Sequence, residues 1–192
     1  MGIFEVLSAI SFVPLVGMVV FLPLVVYLLA RARDAREGRG LDPQLGAKTA
    51  LGFFQTLGFM ALLAGAAALI AGLAYETRLK ELWAPIAMLV VGGLFFGLHT
   101  ALLARTNQAE RTAVSRLYWG LNYIGSGAAS FVGLSLLIVA IGRSRFDREA
   151  GYAALAMVLV YLPTWIVLTI RLLGSLRSAP RAPDAPSAPS PT

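Results

Sequence analysis

The chain has no cysteine and a single histidine among its 192 residues. The first absence excludes disulfides, thiolate nucleophiles, cysteine-held zinc and iron–sulfur clusters, and leaves the redox compartment open. The second excludes a bis-histidine haem within one chain and leaves a zinc site without its other ligands. Charge is scarce as well: 14% of residues are Asp, Glu, Lys or Arg, against about 25% in soluble globular domains. A water-soluble core cannot hide the 58% of residues that are hydrophobic, and the mean hydropathy is +0.75. The net charge of +6 does not point to nucleic acid, because the basic residues lie between apolar runs instead of forming one face. Anionic lipid headgroups are the better counter-charge.

What the sequence does hold is five long apolar runs, Val6–Ala30, Leu51–Ala74, Leu82–Ala104, Leu117–Ile141 and Gly151–Leu172, each bounded by charged residues. A bilayer core about 30 Å thick takes roughly 20 helical residues, so each run is long enough to cross it. Backbone amides in lipid must be satisfied within the segment, and alternation of period two is missing, so the runs read as helices and not as barrel strands. The predicted fold is an all-α polytopic membrane bundle of five transmembrane helices over residues 1–177. Residues 178–192, rich in Pro, Ala and Ser, are expected to form a disordered cytoplasmic tail. The first run lacks a basic flank before it and exceeds a signal-peptide core, so it is expected to be retained as a span.

Orientation follows from the sixteen basic residues. Eleven fall on one side: Arg31, Arg33, Arg36, Arg39, Lys48, Arg105, Arg111, Arg116, Arg171, Arg177 and Arg181. The other side has five: Arg78, Lys80, Arg143, Arg145 and Arg148. The acids divide evenly. The N-terminus is therefore expected outside and the C-terminus in the cytoplasm, in a membrane of the bacterial inner type. In the loops, Asp42-Pro43 reads as a turn before the second span. Thr106 or Asn107 with Glu110 resembles a capping box ahead of the fourth.

Two sets of residues stand out inside the spans. Small residues at a spacing of four form helix faces for close packing: Ala64, Ala68 and Gly72; Gly93, Gly97 and Ala101; Gly125, Ala129 and Gly133. Polar groups gather at the basic ends: Tyr27, Gln55, His99, Asn122, Tyr123 and Arg171, with His99 roughly 9 Å below the interface. An ionisable group at that depth is a candidate proton, cofactor or quinone site, or else a neutral imidazole bonded to Gln55 or Asn122. Pro14, Pro23 and Pro163 predict bends. Trp83, Trp119, Tyr75, Tyr118 and Tyr152 read as interfacial anchors.

The expected function is a non-catalytic subunit that packs through its small-residue faces against itself or other membrane subunits. A channel or small-solute transporter component is the alternative, and a cofactor- or quinone-binding anchor the second. Only His99 with Ser126 or Ser130 offers even a partial nucleophile–base pair, so catalysis is the weaker expectation; no metal site or particular cofactor is indicated.

Overall fold

The computed structural model describes residues 21–36, 38, 42–75, 78–107, 111–143 and 149–177. It is all-helical over these residues. Helix α1 covers 21–36, α2 is Leu45–Ala74, a 3-10 turn at Leu79–Glu81 leads into α3 at Trp83–Ala104, α4 is Arg111–Gly142 and α5 is Glu149–Arg177. Four of these helices, α2 to α5, are long and apolar enough to cross a membrane. The proline-rich tail, Pro14 and most of the first apolar run lie outside the described residues.

The helices start earlier, or run on later, than hydropathy alone indicates. Helix α2 begins at Leu45 and not Leu51 because the turn before it is built: the Asp42 carboxylate accepts the Gln44 amide at 2.9 Å, an Asx turn that orients the first turn of the helix. Helix α4 begins at Arg111 and continues into the span without a separate short helix. Gly38 holds φ +65° in the loop after α1, a conformation that costs glycine nothing. Helix α5 runs through Pro163 unbroken, and one residue further the Thr164 hydroxyl donates to the Val160 carbonyl at 2.7 Å.

Helix α2 is the hub, packing against α3, α4 and α5, while α3 makes no extensive contact with α4 or α5. Its contact with α3 brings backbone against backbone. A Cβ built on Gly58 would lie 2.6 Å from the Phe96 amide nitrogen, one on Gly92 2.6 Å from the Leu62 nitrogen, and one on Gly65 2.8 Å from the Leu89 nitrogen. The two backbones touch, and only glycine allows it. Gly58 and Gly65 stand two turns apart on α2, as do Pro85 and Gly92 on α3, the register of a left-handed seam.

The second organising feature is a buried row on α4. Val114, Tyr118, Asn122, Ser126 and Ser130 recur every four residues and are all buried. At its basic end, Val114 and Tyr118 join Val26 and Ala30 of α1 and Leu45 and Phe53 of α2 in one apolar cluster. Tyr118, expected as an interfacial anchor, is instead a core residue: its ring fills the space left by Gly52, and its hydroxyl donates to the Thr49 carbonyl at 2.7 Å. Trp83 is exposed at the opposite end, and Tyr75 meets Tyr152 there.

Candidate functional site

The basic end of the bundle contains the buried charge of the described chain. Lys48, at the end of the first turn of α2, is fully buried, and its ammonium forms an ion pair with Asp42 and donates to the Asn107 side-chain oxygen. Asn107 closes the set: its side-chain nitrogen donates to Asp42 Oδ1 at 3.3 Å and its amide to Gln44 Oε1 at 2.9 Å. Burial pushes the Asp42 carboxyl up, but hydrogen bonds from Lys48, the Gln44 amide and Asn107, with the Lys48 charge, outweigh it and hold the group below its ordinary value of 3.8. Asp34 on α1 is buried as well, on the face that carries Val26 and Ala30.

This clasp revises the sequence reading of two loops. Lys48 does not stand in solvent among the loop charges, and Asn107 binds Lys48, Asp42 and Gln44. Glu110 lies outside the described residues. The signal available in the sequence was Asp-Pro ahead of an apolar run with Lys six residues on. The missing piece was Asn107, which only the packing of α2 on α3 brings there.

The polar residues singled out within the spans are distributed among separate contacts. Gln55 donates to Thr100 of α3 at 2.9 Å. Asn122 donates to Thr56 of α2 at 3.4 Å, while its own oxygen is buried with no partner among the described residues. His99 turns to its own helix: Nδ1 sits 2.7 Å from the Phe95 carbonyl, and because a carbonyl only accepts, that nitrogen carries the proton. Its ring lies against Phe54 and Phe95, with centroids 5.3 and 5.4 Å away. His99 is therefore bonded to neither Gln55 nor Asn122. Ser126 and Ser130 donate to the Tyr123 and Ser126 carbonyls of α4, so neither pairs with His99. Tyr27 packs against the apolar cluster, Tyr123 stacks on Trp165, and the Arg171 guanidinium lies 6.0 Å over the Trp119 ring.

Because α3 and α4 both pack on α2 but diverge from each other, a groove opens between them at the basic end. Its cavity, about 400 Å³, is lined by Gln55, Thr100, Ser115, Arg116 and Trp119 with Leu103 and Ala104. One turn deeper on each helix the lining becomes aromatic: Phe59 of α2 meets Phe96 of α3 at 5.6 Å and Trp119 of α4 at 6.0 Å between ring centroids.

The small residues also divide. Gly125 receives the Met60 methyl and Gly133 the Met157 and Val158 side chains, so these two face α2 and α5. Ala64, Gly72 and Ala129 are half-buried and Ala68 is exposed. On α3, Gly93 makes ordinary contact with Leu62, but Gly97 has open space where a side chain would stand and Ala101 is exposed. The glycines of the α2–α3 backbone contact, Gly58, Gly65 and Gly92, lie outside every row of four.

Among the described residues, no three His, Cys, Asp or Glu side chains gather where a metal ion could be held. The described residues form a helical bundle with four apolar helices long enough to cross a membrane, joined by the Gln55–Thr100, Thr49–Tyr118 and Thr56–Asn122 hydrogen bonds. The chain matches no protein-family model, no curated protein and no solved structure.

Proposed function

We propose that the protein is a non-catalytic five-span membrane subunit, N-terminus outside and C-terminus cytoplasmic in a bacterial inner membrane, that assembles with itself through the outer face of α3. The observation that carries this reading is Gly97. It sits in the row Gly93, Gly97, Ala101, a spacing that lets two helices approach closely, yet the open side of that row is covered by nothing among the described residues. Glycine in a helix interior costs about 0.5–1 kcal/mol relative to alanine, so an uncovered pair of small positions is consistent with a neighbour outside the chain. The bonding of Gln55 to Thr100 and of Asn122 to Thr56 supports structural roles for these groups over a solute path.

The absence of cysteine makes the test clean. In native membranes under mild oxidation, Gly97→Cys and Ala101→Cys should give cross-linked dimers, and Ile138→Cys on the outward face of α4 should not. Gly97→Leu should lower the mass of the assembly while leaving the monomer folded. Equal cross-linking at positions 97 and 138, or an unchanged assembly in Gly97→Leu, overturns the proposal.

A further inference from the structure

The groove between α3 and α4 has the polarity of a phospholipid. Its mouth, at the basic end, presents the Gln55 and Thr100 pair, the Ser115 hydroxyl and the Arg116 guanidinium. Arg171 of α5 reaches the same edge and lies over Trp119. Among the described residues neither arginine has an acidic partner, and both are exposed. One turn inward, each of the three helices replaces its polar residue with an aromatic one: Gln55 gives way to Phe59, Thr100 to Phe96, and Ser115 to Trp119. Positive charge and hydrogen-bond donors at the end of the bundle, one turn beyond an aromatic wall, match a molecule that is anionic at one end and apolar at the other.

We propose that this groove is a binding site for an anionic phospholipid, its phosphate held between Arg116 and Arg171 and the upper part of an acyl chain laid against Phe59, Phe96 and Trp119. A zwitterionic lipid presents the same tail but no net charge, and free phosphate presents the charge without the tail. The site uses both. It lies at the end of the bundle where the basic residues concentrate, which is the end that faces anionic headgroups under the orientation proposed above. The assembly face on α3 is a separate matter, since lipid binding is read on the monomer.

The experiment is native mass spectrometry of the full chain in uncharged detergent, with phosphatidylglycerol and phosphatidylcholine of identical acyl chains. The parent should retain phosphatidylglycerol in preference to phosphatidylcholine. Arg116→Gln and Arg171→Gln should each weaken it about fivefold and the double variant roughly 25-fold, the effect of one basic side chain each at a charged lipid surface. Arg78→Gln with Arg143→Gln, at the opposite end, should change nothing, and millimolar inorganic phosphate should not displace the lipid. Equal retention of the two lipids, a double variant that binds like the parent, an equal loss in the opposite-end variant, or displacement by phosphate alone each overturns the proposal. Helicity of the variants is measured alongside, and both arginines are exposed, so unfolding does not stand in for lost binding.

Discussion

Gly92→Ala tests the backbone contact between α2 and α3. A Cβ at Gly92 would sit 2.6 Å from the Leu62 nitrogen and 2.9 Å from the Gly58 oxygen, whereas ordinary contact begins at 3.4 Å. The shortfall is 0.8 Å, from 3.4 less 2.6. Both neighbours are backbone atoms of α2, so no side chain can swing aside and the two helices must part. Overpacking of this kind costs about 1–3 kcal/mol. Alanine also gains about 0.5–1 kcal/mol over glycine in a helix interior, which offsets part of the loss. Gly120→Ala on α4 supplies the control, because nothing lies within 4 Å of its Cβ. The propensity gain is common to both variants, so their difference isolates the contact and should be about 1–3 kcal/mol, with Gly92→Ala the less stable. The assay is reversible unfolding in mixed micelles by titration with sodium dodecyl sulfate, followed by helicity. Two variants equal within about 0.5 kcal/mol, the usual scatter of neutral substitutions, would refute the claim that backbone contact sets the α2–α3 spacing.

The clasp gives a pH-dependent stability. The Asp42 carboxyl is held below 3.8 in the folded protein, so its contribution is full above that value and is lost as pH falls through the lower folded value; stability of Asp42→Asn should lose this acid-limb dependence. Lys48→Met alone leaves a desolvated carboxylate without its charge partner and should cost about 3–5 kcal/mol, and adding Asp42→Asn should restore part of it, read by the same unfolding titration. His99→Gln should leave helicity and unfolding within about 0.5 kcal/mol of the parent, since the imidazole's polar contact is to its own helix. A reporter active only in the cytoplasm, fused after Leu172, should be active, and one fused between Arg143 and Glu149 silent; the reverse result would invert the proposed orientation.

The four described spans were legible because lipid solves the problem that makes soluble folds hard to read. Length and hydropathy alone define a crossing helix, and Leu51–Ala74 or Leu82–Ala104 carry that signal without help from tertiary contacts. The helix ends were less legible, since they are decided by side chains outside the apolar run, as where Asp42 carries α2 back to Leu45. The spacing-of-four rows include two glycines in close contact, Gly125 against Met60 and Gly133 against Met157, but do not include the α2–α3 seam. Rows at a spacing of four are the familiar small-residue motif, but α2 and α3 meet at a spacing of two turns, through Gly58, Gly65, Pro85 and Gly92. Polar groups at one depth were expected to find one another. The azimuth of His99 on α3 decides the outcome: it turns toward Phe54 and Phe95 while Gln55 reaches Thr100. No pattern in the sequence encodes azimuth when every face of a helix is apolar.

The ionic clasp also constrains the order in which the chain can mature. Asp42 and Lys48 are six residues apart, so this half of the contact is available as soon as the start of α2 has been made. Asn107 follows Lys48 by 59 residues and arrives only after α2 and the whole of α3 have been synthesised. Until then Lys48 has Asp42 but not Asn107. Closure of the α2–α3 hairpin is what delivers Asn107, and every glycine of the seam precedes Asn107 in the chain. A nascent chain truncated before residue 107 should therefore hold the apolar hairpin contact and leave Lys48 open to water-soluble amine reagents, whereas the full-length chain should protect it.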